Sequence, residues 1–410
     1  MTDTSSVLPA KELLKQLAEG ATTAAWEAKR RGEKVGWSAS NFPQELPTSM
    51  GIHVVFPENH GAAVGAKGGG QRMCEHAEAM GYAQDLCSYS RINFAYADLK
   101  ECPEMEIPMP DFLLCCNNIC NCLIKWFENV AHELDIPMLL IDIPHLDDLI
   151  CDEDRTRYIR AQFDHCAKEL EKITGKAFCE DKLKEVMDIS QRSSKAWLDA
   201  VSYAKYTPSP YSGFDTFNNM AVACVARGTT AGAEAFEQLA REYKTRVENN
   251  TSTFPGEELY RVLFEGIACF ANLRATFKGL KDRGVNVTAT IYGLAFIFLY
   301  SNLDELAAAY SYVSNCNCFQ REVEMRVDMA AQNKVEGAVI HMNRSCKKWS
   351  GNLYEMERQL REKLGIPTMM FDGDQSDPRV FSEAQYITRI EALVEIMEAN
   401  RKQKGAVPNA

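Results

Sequence analysis

The chain has 410 residues, 46% hydrophobic and 25% charged, with a formal net charge of -12. That composition is globular and long enough for two or three domains. The acidity and the lack of a Lys/Arg block exclude a general nucleic-acid surface, although a local pocket can still be positive enough for an anionic ligand. No apolar run reaches the roughly 18–20 residues of a membrane helix. Residues 1–6, Met-Thr-Asp-Thr-Ser-Ser, lack the basic region and apolar core of a secretory signal. The expectation is a cytoplasmic protein with no membrane or nucleic-acid partner. In that setting the 15 cysteines read as thiols, metal ligands or packing rather than as a disulfide framework.

Residues 8–33 predict a helix, with Leu13, Leu14, Leu17, Ala21 and Ala28 at helical spacing and Gly32 as the stop. Residues 34–40 read as a short strand, 42–46 as a short helix and 53–56 as a second strand. Pro57-Glu58-Asn59 follows that strand, then a glycine-rich piece (Gly61, Gly65, Gly68, Gly69, Gly70). Residues 71–84 read as a helix, 85–89 as a turn and the chain through Asn93 and Tyr96 as another helix. Asp111-Phe-Leu-Leu-Cys-Cys-Asn-Asn-Ile-Cys-Asn-Cys122 begins as a buried strand, breaks at Asn117-Asn118 and restarts as a helix. Cys115, Cys116, Cys120 and Cys122 crowd that hand-over, where helix N-terminal amides lower a thiol pKa. Residues 137–144 form an apolar strand of the parallel-sheet kind.

After about residue 150 the pattern becomes long, charged and helix-periodic: 155–174, 181–205 and 218–248, interrupted at 206–210. Alternation returns with strands at 260–269, 285–291, 337–342 and 368–371, helices at 273–283 and 353–364, and a closing helix at 382–402. The expected class is α/β, with two parallel-sheet, flavodoxin/Rossmann-like domains and a mainly helical domain between them. The expected boundaries are 1–150, 151–258 and 259–410.

Parallel sheets bind ligands at the carboxyl ends of their strands. Cys87, Cys120 and Cys346 are expected at such ends, two from the first sheet and one from the second. Three thiolates meeting there leave one metal coordination position open; unrelated core cysteines are the alternative. Glu58 is a candidate general base, or else a helix-cap or surface carboxylate. Ser40 either binds a carbonyl or terminates its strand. The glycines at 61–70 match neither a dinucleotide fingerprint nor a P-loop. Residues 372–379 approach a calcium loop, but the glycine is misplaced and no matching glutamate follows. His341 reads as a satisfied core histidine.

Together with Val35-Gly-Trp-Ser-Ala-Ser40, Phe56-Pro-Glu-Asn59, Asn343-Arg-Ser-Cys346 and Phe371-Asp-Gly-Asp-Gln-Ser-Asp-Pro-Arg379, the 111–122 stretch resembles the 2-hydroxyacyl-CoA dehydratase family. More narrowly it is similar to the larger (alpha) subunit, over about residues 25–400. The resemblance implies a heterodimer, or heterotetramer, with a smaller beta subunit. It implies a [4Fe–4S] cluster on Cys87, Cys120 and Cys346, with the fourth iron left for water or the acyl-CoA carbonyl. It leaves open whether a flavin is present. An ATP-dependent iron–sulfur activator protein would donate one low-potential electron. The thioester would become a ketyl radical, expel its 2-hydroxyl, lose a 3-proton and return the electron. Glu58 matches a base and Ser40 a hydrogen-bonding group.

The expected reaction is therefore an oxygen-sensitive hydro-lyase step, (R)-2-hydroxyacyl-CoA to (E)-2-enoyl-CoA, of anaerobic amino acid fermentation. Residues 57–64 and 286–290 are most similar to the aryllactyl type, such as phenyllactyl-CoA, and Cys120-Asn-Cys122 to the 2-hydroxyglutaryl type. Lys347-Lys348 after Cys346 departs from the family pattern, and such positions flank the acyl pocket. The expected substrate is an aryllactyl-CoA. The alternatives are a 2-hydroxyglutaryl-CoA dehydratase subunit, a benzoyl-CoA-reductase-like subunit or a non-catalytic cluster-bearing scaffold.

Overall fold

The computed structural model describes residues 8–406, so the reading of residues 1–6 lies outside the described residues. Eight short strands form two four-stranded, all-parallel sheets. The first holds β1 (Gly36–Ser38), β2 (Val54–Val55), β3 (Phe112–Cys116) and β4 (Met138–Ile141), in the order β2-β1-β3-β4. The second holds β5 (Tyr260–Glu265), β6 (Val285–Ala289), β7 (Gly337–Asn343) and β8 (Thr368–Gly373), in the order β6-β5-β7-β8. The two orders are the same. In each sheet the winding reverses beside the first strand, between β1 and β3 and between β5 and β7, and a crevice opens at the carboxyl ends there. The expected α/β class with two parallel sheets is what the chain adopts.

The apolar strands explain why both sheets are sandwiched. Every residue of β3 and of β7 is buried, so helices must cover both faces. The covering does not follow sequence blocks. Ile159, Phe163, Leu183 and Met187 pack into the first core, together with Phe298, Tyr300 and Tyr310 from beyond the second sheet's edge strand. Trp197, Phe236 and Tyr243 pack into the second core with Val262 and Phe371, and Leu14 of the first helix joins them. Apolar packing therefore crosses both expected domain boundaries. Buried Glu45 ties these parts together by accepting from Ser190 Oγ at 2.7 Å, Tyr300 OH at 3.0 Å and Tyr310 OH at 2.7 Å.

Two local expectations need correction, and one stretch gains an element. The glycine-rich piece is helical at its start, as part of Pro57–Ala66. Its glycines are there for close approach. A Cβ on Gly65 would lie 2.7 Å from the Ser376 Cβ and 2.8 Å from its Cα, so a side chain would push the second sheet's last loop away. The 218–248 run is two helices, Gly213–Val225 and Thr230–Glu248. They part at Gly228, whose φ of +74° suits glycine. Cys87 does not follow a strand. It lies between helices Gly70–Ala79 and Ser88–Leu99, immediately before the latter.

Candidate functional site

At the end of β1, Ala39 N–H donates to Leu114 O at 2.8 Å and carries the chain out over the sheet's carboxyl edge. Ser40 emerges there, 3% exposed. At the end of β2, Pro57 opens a helix, the position where its missing N–H costs nothing. Glu58 then falls in the first turn. Its Oε2 accepts the Ser40 N–H at 2.7 Å, so this carboxylate turns inward rather than to bulk solvent. The open space beside it reaches the side chain, yet protein surrounds it. Burial pushes the Glu58 carboxyl above its ordinary value, against the lowering effect of the Ser40 hydrogen bond.

The loop from β3 to Cys120 is held by the two asparagines that break the strand. Asn117 donates to Asp142 and accepts the Ile143 N–H at 2.6 Å, which ties it to the end of β4. Asn118 donates to Asn41 O at 3.3 Å and to Tyr310 O at 3.0 Å. Cys120 thus caps helix Asn121–Leu134, its Sγ accepting the Leu123 N–H at 3.4 Å. The expected lowering of a thiol pKa at this helix start does not hold for Cys120. Burial outweighs the one amide and pushes the thiol up.

Cys346 comes from the second sheet, after β7. Cys87 is brought to it across the molecule: Ser88 N–H donates to Ser345 Oγ at 3.1 Å, and Gln375 Nε2 donates to Cys87 Sγ at 3.0 Å. Arg91, 1% exposed, clamps the same junction. It donates to Leu86 O at 2.9 Å, Glu78 at 2.6 Å and Asp377 at 3.0 Å. Cys122 joins the group on the cavity wall, its Sγ 3.9 Å from Ser90 Oγ. The Cys87 thiol is pushed up by the neighbouring Cys122 thiol and by burial, and the Cys346 thiol is pushed up by burial to about 11. Cys122 is lowered to about 7 by the neighbouring Cys87 thiol.

These residues line one cavity of about 260 Å³. Ser40, Glu58, Cys87, Cys120, Cys346 and Gln375 all border it, and Phe217, Phe270, Tyr292, Phe296, Trp126 and Trp349 supply apolar walls. Five lining residues present buried polar atoms with no protein partner: Asn41 Oδ1, Asn59 Nδ2, Trp126 Nε1, Ser314 Oγ and Trp349 Nε1. Such atoms favour a polar ligand in the space. A second cavity of about 650 Å³ is lined by the same four cysteines together with Asn117, His145 and Lys347.

All five sequence-derived site residues therefore meet, from both sheets. Cys115 and Cys116 do not take part; they are buried in β3. Sequence reasoning missed the wall from helix Gly213–Val225, because its periodicity reads as ordinary packing. It also missed Gln375, although the 371–379 motif contains it. The calcium-loop alternative fails because Asp374 caps the N–H groups of Ser376 and Asp377, and Asp377 pairs with Arg91 and Arg379. His341 is buried and stacked on Phe371, with Nδ1 2.6 Å from Ile267 O, but its Nε2 has no partner. Lys348 lines the cavity and pairs with Glu322 at 3.6 Å, whereas Lys347 reaches Asp85 at 3.4 Å.

The fold and site define a class: a two-sheet α/β protein that presents thiols from both halves to one acyl-sized, largely apolar cavity. Residues 39–397 match the family described as 2-hydroxyglutaryl-CoA dehydratase, D-component, and the chain belongs to that family of 2-hydroxyacyl-CoA dehydratases. It is 56% identical to the (R)-phenyllactyl-CoA dehydratase alpha subunit of Clostridium sporogenes over 96% of this chain and 97% of that one. It is 45% identical to the (R)-2-hydroxyisocaproyl-CoA dehydratase alpha subunit of Clostridioides difficile, over 92% and 93%. It is 40% identical to the (R)-2-hydroxyglutaryl-CoA dehydratase subunit alpha of Acidaminococcus fermentans, over 98% and 99%.

Proposed function

We propose that this chain is the alpha subunit of an (R)-2-hydroxyacyl-CoA dehydratase, a hydro-lyase forming the (E)-2-enoyl-CoA, with an aryllactyl-CoA as substrate. The observation that carries this reading is the convergence of Cys87, Cys120 and Cys346 beside Glu58 at one cavity. The relatives' names as alpha subunits support a partner beta subunit, and the family supports a separate ATP-dependent iron–sulfur activator. The setting is anaerobic and cytoplasmic; among the described residues no helix is long and apolar enough to cross a membrane.

The donor set fits a [4Fe–4S] cluster. Thiolates are the ligands such clusters take. Among the described residues no set of three or more His, Cys, Asp or Glu side chains closes around a single ion. A cube of iron and sulfide needs its cysteines farther apart than one ion does. N–H donors already point at Cys120 and Cys87, the kind of hydrogen bond that tunes the sulfurs of such a cluster. When bound, such a cluster supplies a low-potential electron and an open iron for the thioester carbonyl.

The chain's own residues do the rest. The aromatic walls hold the acyl group and exclude water. Ser40, through its backbone N–H, orients Glu58. The 3-proton of an ordinary thioester is far too weak an acid for a carboxylate, but one-electron reduction and loss of the 2-hydroxyl make it acidic. Glu58 then takes it on a carboxylate oxygen whose basicity burial has raised. Lys348, the lysine on the cavity wall, is engaged by Glu322. Among the described residues that line the cavity, the lysine is thus already paired with a carboxylate rather than set aside for the distal carboxylate of a glutaryl chain, which favours an aromatic acyl group.

The test is turnover of anaerobically prepared chain, with its partner subunit and activator, on phenyllactyl-CoA and 2-hydroxyglutaryl-CoA, with iron and sulfide measured on the same sample. Bound iron and a kcat/KM at least about tenfold higher for the aryl substrate are expected, as one good pocket contact supplies. Equal or reversed preference would refute the aryllactyl assignment, and iron-free protein would refute the cluster.

A further inference from the structure

Gln375, in the 371–379 motif, borders the cavity but has no part in the proposed reaction, and its side chain is held at both ends. It is 1% exposed. Its Nε2 lies 3.0 Å from Cys87 Sγ, and its Oε1 accepts from Asn343 Nδ2. A glutamine amide can flip, but a ligating thiolate only accepts, so with Cys87 as a thiolate the NH₂ faces the sulfur and the Oε1 is left to accept from Asn343. The backbone is held as firmly. Phe270 N–H donates to Gln375 O at 2.9 Å, Asp374 Oδ1 accepts the Ser376 N–H at 2.9 Å, and Ser376 Oγ donates to Gly61 O at 2.9 Å. Asn343 is the last residue of β7, three before Cys346, so the chain Asn343–Gln375–Cys87 ties the thiol contributed by the first half to the strand that delivers the thiol of the second.

An N–H donor aimed at a thiolate stabilises negative charge on sulfur. One-electron reduction of a cluster bound there adds negative charge, so the donor favours the reduced state more than the oxidised one. We infer that Gln375, oriented by Asn343, is a positioning residue that donates to the Cys87 sulfur and sets the cluster's reduction potential. The inference rests on the cluster assignment made above.

The experiment is a potentiometric titration of the anaerobic chain with its partner subunit, followed by electron paramagnetic resonance, for wild type, Gln375→Leu, Asn343→Ala and the double variant. At the wild-type midpoint potential, Gln375→Leu should lower the reduced-to-oxidised ratio roughly tenfold, equivalent to about 59 mV for a one-electron couple. Asn343→Ala should lower it less, and should add nothing in the Gln375→Leu background, because it acts through the glutamine. Wild type labelled with ¹⁵N in glutamine side chains should also show nitrogen hyperfine coupling to the reduced cluster. That readout stands even if a variant fails to hold iron. An unmoved potential in iron-replete Gln375→Leu, an Asn343→Ala effect that persists without Gln375, or absence of the nitrogen coupling would each overturn the inference and leave the cluster assignment standing. A wild type without iron would sink both.

Discussion

Glu58 shows how one residue's chemistry is set by where it is held. A glutamate in the first turn of a helix is ordinarily stabilised as the anion. Here burial wins over that and over the Ser40 N–H, and the carboxyl is raised. The ionised base is therefore scarce at low pH and fills as pH rises through the raised value. Wild-type kcat/KM should climb along an acid limb that ends above the ordinary glutamate range. Glu58→Gln should lower kcat by about 10²-fold or more, lose that limb and keep its iron; a variant with wild-type kcat would remove Glu58 from the reaction. The residue types were legible: a glutamate after a strand and cysteines beside a helix start. The inward turn of Glu58 was not, because only the Ser40 backbone, eighteen positions away, decides between a solvent cap and a buried base. The same holds for Cys120, where helix position argued for a lowered thiol and burial reversed it.

At the scale of elements, apolar periodicity placed helix Leu353–Leu364 at its observed bounds and located all eight strands to within a few residues. Those signals are local, since both repeats arise from hydrogen bonding and side-chain direction within a turn or two. Helix Pro57–Ala66 was read as a glycine-rich piece for the converse reason. Its glycines lower helix propensity, and what they provide is a surface on which Ser376 can sit, which no local pattern reports. Gly65→Val should force that contact apart and cost about 1–3 kcal/mol, as overpacking does. A lowered urea midpoint with unchanged m-value is the expected readout; unaltered stability would mean that the two elements separate freely.

Across the whole molecule, the two sheets repeat one topology and face their switch points to a shared cavity, and the helices between them divide their side chains between both cores. Leu183 and Met187 belong to the first core and Trp197 to the second, although all three lie on one helix, Glu180–Ser202. A connection of that kind couples the halves, so thermal unfolding followed by circular dichroism and by tryptophan fluorescence should give coincident, single transitions. Two separated transitions would show that the halves melt independently.

By itself, the sequence determined the α/β class, the parallel character of the strands and, through the order of its motifs, the family. Those properties depend on residue type and on neighbours a few positions apart. Tertiary structure alone decided that Cys87 arrives from a helix–helix loop, that helix Gly213–Val225 walls the cavity, that Glu58 faces inward and that Gln375 meets the Cys87 sulfur. Each depends on side chains far apart in the chain being packed into one place, and chain spacing carries no record of that distance.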